Sequence, residues 1–297
     1  MFNGGNGMKI STEISSLSAL VGDERAVECV ANAGFDAWDF SMFGAADNDR
    51  DGGRLIFNSH PLSGREYSAY AKRLKQIGLD SGIVCNQSHA PFPTWGVKSV
   101  PVLMRSIECT ALAGGNICVI HPNNNLSSGE NAEMYNALLP FAKDCGVKIA
   151  TENMWNWNKE KDEASAAACS SPESFNAHLD AVNDSFFVAC LDIGHAEMKG
   201  LGTCAVDMIH ALGSRLEALH IHDNDRWHDS HQIPFSMNID FVPIVAALKE
   251  IGYCGYFTLE AGEYAKDFDS DTAYKAAREL ALSARKLADM FDKSVTK

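Results

Sequence analysis

The chain has 297 residues, 46% hydrophobic and 22% charged, and its 39 Asp and Glu against 25 Lys and Arg leave a formal charge of −14. This is the balance of a globular protein; it excludes disordered and fibrous classes and disfavours nucleic acid or an anionic membrane as partner, because phosphate contacts draw on Lys and Arg. No apolar run approaches the roughly 18 to 20 residues that span a bilayer. Residues 1–7 show neither the basic nor the apolar region of a leader, and the nine cysteines include no C-x-x-C, so the expectation is a cytoplasmic chain with reduced thiols, mostly small core residues.

Taken in chain order, short β-type runs alternate with segments of helical period. A strand at 9–15 leads to a helix at 23–33, a strand at 36–42 to a helix at 63–77, and a strand at 81–86 to a helix at 98–113. The pattern repeats as strand 116–121 and helix 131–145, strand 148–153 and helix 172–182, strand 186–192 and helix 204–212. It ends with strand 216–222 and helix 239–251, then strand 256–260 and an amphipathic helix at 271–292 that packs on the barrel. Gly34, Gly78, Gly146 and Gly252 stand where left-handed residues end helices, and Ala113-Gly114-Gly115 reads as a further helix stop. Eight β and eight α segments without a linker predict an α/β fold, a (β/α)₈ TIM barrel forming one domain over 1–297, with 1–7 as a flexible extension. A doubly wound open sheet is the alternative, disfavoured because no G-x-G-x-x-G follows the first strand. Two long connections, 43–62 and 154–171, are expected to cover a site at the C-terminal face.

In such a barrel the chemistry sits where strands end at that face. Strands three to eight run out into Ser88-His89-Ala90-Pro91, Ile120-His121-Pro122, Thr151-Glu152-Asn153, Asp192-Ile193-Gly194-His195, His220-Ile221-His222 and Leu259-Glu260, with Asp229-Ser230-His231 in the loop after strand seven. These oxygen and nitrogen donors suit Zn²⁺, Mn²⁺, Co²⁺ or Mg²⁺. A lone strand-end His or Glu is ordinarily a solvated residue or a helix cap. Carboxylates converging on one barrel mouth repel unless a cation lies among them, so Glu152, Asp192, His220 and Glu260 are expected to be ligands. His89, His121, His195, Asp229 and His231 are candidates for further ligation. His222 stands beside His220 as an outer partner or a substrate contact, and His60, His178, His210 and His228 are taken as surface residues.

The segments HAPF, HP, EN, LDIGHA, H-x-HDN and D-x-H resemble those of the xylose-isomerase-like TIM-barrel superfamily over essentially the whole barrel. In the epimerase and isomerase branch the resemblance implies a metal held by Glu152, Asp192, His220 and Glu260. In the endonuclease IV branch it implies up to three zinc ions held by these together with His89, His121, His195, Asp229 and His231. After D-x-H this chain reads Gln232-Ile233-Pro234-Phe235 where many relatives carry a G-x-G turn.

What the resemblance implies is a divalent-metal-dependent sugar isomerase or epimerase, in which Glu152 and Glu260 exchange protons with a metal-stabilised enediolate. His195 and His222 would contact substrate oxygens, Arg226 a hydroxyl or carboxylate, and Phe43, Trp95, Trp155 and Trp157 would wall the sugar from water. No phosphate-binding loop is present, which argues against a phosphorylated sugar. The second reading is a multinuclear zinc phosphoesterase acting on small substrates, since the acidic charge and loops opposing Asp47, Asp49, Asp51, Glu160, Asp162 and Glu163 to only Arg50, Arg54, Lys159 and Lys161 argue against DNA. A barrel that binds metal or sugar without turnover is a third. Barrels of this type also form homo-oligomers, on which the residue pattern is silent.

Overall fold

The computed structural model describes residues 7–294, so the expected extension at 1–7 lies, apart from Gly7, outside the described residues. Eight parallel strands alternate with eight helices. They are β1 (Ile10–Thr12), β2 (Ala37–Ser41), β3 (Val84–His89), β4 (Ile117–Val119), β5 (Lys148–Glu152), β6 (Phe187–Asp192), β7 (Leu216–His220) and β8 (Phe257–Leu259). The helices are α1 (Asp23–Ala33), α2 (Tyr67–Asp80), α3 (Val100–Ala113), α4 (Ser128–Cys145), α5 (Pro172–Val182), α6 (Ala205–Leu212), α7 (Phe241–Glu250) and α8 (Ala273–Lys293).

Strands β2 to β7 form one continuous parallel sheet, and β1 pairs with β8. Bridges between Glu13 and Asp39 and between Ile221 and Leu259 join the two pieces and close the barrel. The open-sheet alternative is thereby excluded. Each helix lays one apolar face on the strands; in α8, Ala273, Ala276, Ala277, Leu280, Ala284, Leu287 and Phe291 recur at helical spacing and are buried. Five of the nine free cysteines, Cys85, Cys109, Cys118, Cys169 and Cys190, are buried core residues. Among the described residues no helix is long and apolar enough to cross a membrane.

Three sequence expectations change. Gly34, Gly114, Gly146 and Gly252 do take positive φ at helix ends, but Gly78 lies inside α2, which runs on to Asp80. Its missing side chain serves packing, because a Cβ there would meet Trp38 Nε1 at 3.0 Å and the Ile83 carbonyl at 3.2 Å. A further helix, Ser15–Val21, follows β1, too short for its period to be seen in the sequence. The long connections are not bare loops: Ala46–Asp49 pairs with Arg54–Phe57, and Asn156–Asn158 with Glu163–Ser165, as antiparallel hairpins.

Candidate metal centre

Each strand end turns its last polar side chain into the barrel mouth, since alternate residues of a barrel strand face inward. Glu152, at the end of β5, is the hub. Its Oε2 lies 3.1 Å from His220 Nδ1, 3.2 Å from His121 Nε2 and 3.4 Å from His89 Nε2. His89 Nε2 and His121 Nε2 are themselves 2.8 Å apart. Glu260 Oε2 approaches the same His220 Nδ1 at 3.4 Å. Across the mouth, Asp229 Oδ2 lies 3.2 Å from both His195 Nε2 and His231 Nε2, while His222 Nε2 lies 3.2 Å from Asp192 Oδ1.

The ring orientations follow from second hydrogen bonds. His89 Nδ1 meets the Ala90 carbonyl at 2.9 Å, His195 Nδ1 that of Asn153 at 2.8 Å and His231 Nδ1 that of Glu260 at 2.8 Å. A ring nitrogen that donates to a carbonyl leaves the other as a lone pair, so in all three Nε2 is the donor atom turned inward. Asn153 also brackets Asp192, accepting from its N–H and donating to its carbonyl, which ties the end of β5 to the end of β6.

Burial makes this arrangement costly without a cation. Glu152, Asp192, His89 and His220 are essentially inaccessible. Burial opposes ionisation of Glu152, but the His220 and His121 rings outweigh it and hold its carboxyl well below the usual range. Burial likewise opposes ionisation of Asp192, yet His195 and His222 bring it down to about 2. Glu260 moves the other way, raised chiefly by burial. Burial depresses His121 to about 4, which keeps its ring in the neutral, ligating form. Cys190 also reaches Glu152 and His220, but burial pushes its thiol up to about 12 and favours the neutral form.

The donors test well against a metal. Four buried polar atoms here, Glu152 Oε1, Asp192 Oδ2, Asp229 Oδ1 and His222 Nε2, have no hydrogen-bond partner. Unsatisfied buried acceptors are rare in folded proteins, and four around one mouth are what divalent cations would satisfy. The donor atoms gather as Glu152, Asp192, His220 and Glu260; as His89, His121 and Glu152; and as His195, His222, Asp229 and His231, each set within 4.8 Å. All nine residues proposed from the sequence as ligands are thus brought together, with His222 added.

Above this floor opens a cavity of about 870 Å³, lined by Glu152, Glu260, His121, His195, Asp229 and His231 at its base and by Phe43, Phe92, Trp95 and Trp155 along its walls. Trp95 and Trp155, proposed from the sequence to contact substrate, both line this cavity. Trp157 stacks on His228 outside the lining. His222 is fully buried between Asp192 and Asp229 rather than facing the cavity, and Arg226, expected to reach substrate, pairs with Glu197 at 3.2 Å on the outer rim. Its backbone, at φ +69° with the N–H held by Asn224 Oδ1, turns it away. His210 and His228 are exposed and His60 half-buried, but His178 is buried at 5% exposure, its Nδ1 on the Ser174 carbonyl and its Nε2 beside Asn131, because α5 turns Phe175, His178 and Leu179 into the core. The sequence reading missed Glu13, one residue past β1, and Asp39, in the middle of β2; Glu13 lines the cavity, and Asp39 Oδ2 stands 3.5 Å from His220 Nε2. An acid following the first strand was the signal for Glu13, and an acid set between Trp38 and Phe40 was the signal for Asp39.

The model of the xylose isomerase-like TIM barrel family matches residues 27–285 of this chain. The uncharacterized protein MJ1311 of Methanocaldococcus jannaschii is 26% identical over 253 residues, 79% of this chain and 78% of that protein. A D-tagatose 3-epimerase-like protein of known structure superposes with a TM-score of 0.71 at 21% identity, covering 97% of this chain and 100% of that one. The D-allulose 3-epimerase of Methylomonas sp. superposes at 0.69 with 15% identity, covering 95% and 98%.

Proposed function

The chain belongs to the xylose isomerase-like TIM-barrel family, and on that premise we propose that it is a divalent-metal-dependent isomerase or epimerase of a sugar or sugar derivative. The carrying observation is that Glu152 and Glu260 approach one ring nitrogen of His220, at 3.1 and 3.4 Å, and both open onto the same cavity. Solved structures named as sugar 3-epimerases share the fold, which supports the choice of substrate class. A cavity of this size holds a small molecule, and its aromatic walls suit the apolar faces of a sugar ring.

Glu152, Asp192, His220 and Glu260 would hold the principal cation, and Zn²⁺, Mn²⁺, Co²⁺ and Mg²⁺ all accept such donors. When bound, it supplies electrophilic stabilisation for charge developing on the substrate's carbonyl oxygen. Isomerisation and epimerisation both remove a proton from the carbon beside a carbonyl. Glu152 takes that proton on a carboxylate oxygen, and Glu260, which opens onto the same cavity, returns one. His195, fixed through Nδ1, orients a substrate oxygen, and the Phe92 and Trp155 walls exclude water. The test is proton NMR of candidate ketoses in D₂O with the metal-loaded enzyme. Deuterium entering the carbon beside the carbonyl, abolished by Glu152→Gln and by Glu260→Gln, is expected; no exchange with any ketose overturns the reading.

The groups around His89 and His121 and around Asp229 and His231 favour a second reading, a multinuclear zinc phosphoesterase acting on small substrates. His121→Ala separates the two. Loss of zinc together with hydrolysis of a phosphoester such as bis(p-nitrophenyl) phosphate supports the second, and retained ketose exchange supports the first.

A further inference from the structure

The wall of the cavity beside β1 carries a carboxylate that the proposed proton transfer does not use. Glu13 is 3% exposed, and its residue lines the cavity along with Ser15, Ser16, Ala19 and Leu20. β1 pairs with β8, so this wall rises next to the strand that delivers Glu260.

The hydrogen bonds of Glu13 have a forced direction. A carboxylate only accepts, so Ser15 Oγ at 2.6 Å, Ser16 N at 3.1 Å and Ser16 Oγ all donate to it. With both hydroxyl protons committed, what Ser15 and Ser16 keep for a ligand is lone pairs. Glu13 itself has roughly four acceptor sites and three are taken. The wall therefore presents acceptors alone and recognises groups that bring protons.

Charge points the same way. Among the described residues the lining holds five carboxylates, Glu13, Glu152, Asp229, Glu260 and Glu263, against a single Lys or Arg, Lys266, with His121, His195 and His231 at the base. Lys266 is mostly exposed on the rim and is paired with Glu263. Cations at the base would answer Glu152, Asp229 and Glu260. None of the described ion pairs involves Glu13, and a phosphate or carboxylate brought beside it would lose solvation and meet like charge.

We propose that Glu13, with Ser15 and Ser16, is a specificity-determining wall that binds hydroxyl groups of the substrate and excludes phosphorylated sugars, so that the substrate is an uncharged polyhydroxy carbonyl compound. This rests on the sugar isomerase or epimerase reading. Two measurements on the metal-loaded protein keep the claims apart: binding of D-fructose, D-tagatose and D-fructose 6-phosphate by tryptophan fluorescence, and deuterium exchange into each sugar.

The wild-type chain is expected to bind a free ketohexose at least about ten-fold more tightly than the phosphate. Glu13→Gln keeps the shape and removes the charge; it should cut that ratio about ten-fold with metal content unchanged. Ala19→Lys, an exposed change on the same wall, should cut it without touching the hydrogen bonds of Glu13. Equal or tighter binding of the phosphate by the wild type, an unchanged ratio in both variants, or no ketohexose binding overturns the inference. Selective binding without exchange overturns only the isomerase reading, and exchange without selectivity only the role of Glu13.

Discussion

Asp229 and His195 lie 34 residues apart in sequence and 3.2 Å apart in space, Oδ2 against Nε2. The contact brings the loop after β7 against the turn after β6, and the same Oδ2 lies 3.2 Å from His231 Nε2. Two lone-pair nitrogens thus face one carboxylate, an arrangement that a cation among them would hold. Asp229→Ala should leave the barrel folded and weaken metal retention by about 10- to 100-fold, because it removes one of the donors gathered there. Competition with a coloured chelator measures it; unchanged retention would mean that Asp229 plays no part in the centre.

Gly194 serves a different purpose, since its φ is ordinary. A Cβ there would fall 2.0 Å from the His222 ring, which is fully buried and has nowhere to retreat. Gly194→Ala is expected to cost about 1 to 3 kcal/mol, in the range of overpacked cores, and to displace the ring from Asp192. Urea unfolding gives the first quantity and metal content the second; wild-type values for both would contradict the packing account.

The strand ends were legible because each pairs an apolar run with an abrupt His, Glu or Asp, as in Val119-Ile120-His121 or Leu259-Glu260. Where no such contrast exists, the reading fell short. Arg226 looked free in the sequence, but its left-handed backbone and Glu197 decide where it points, and neither is a local signal. The sequence reading places His178 at the surface, whereas helix phase buries it beside Phe175 and Leu179. Glu13 was passed over because the search for donors began at the third strand.

Stripping the metal should destabilise the chain. The four orphaned atoms around the mouth would be left without a partner, and the carboxylates would repel. A ligand present at 100 times its dissociation constant contributes about 2.7 kcal/mol, so chelation should lower Tm by several degrees. Re-addition of the native ion should restore it, and an unaltered Tm after verified metal removal would count against a structural load on the centre.

His178 gives a pH dependence away from the metal. Burial lowers its pKa below 6.5, more than its bond to the Ser174 carbonyl raises it. The unfolded chain then binds the proton more readily than the folded one, so stability is full above pH 6.5 and declines as pH falls through that value towards the depressed folded pKa. Against His178→Gln at constant metal saturation, the wild type should lose more unfolding free energy between pH 7 and pH 5. Parallel curves would contradict the assignment.

The central claim is that Glu152 anchors a divalent metal centre, and elemental analysis of protein purified without chelator tests it most directly. Glu152 contributes to the sets with His89 and His121 and with Asp192, His220 and Glu260. The account predicts at least about one divalent ion per wild-type chain, with the content clearly reduced in folded Glu152→Ala. A wild-type chain without divalent metal even after incubation with Mn²⁺, Co²⁺, Mg²⁺ and Zn²⁺, or a Glu152→Ala chain that retains the full complement, would contradict it.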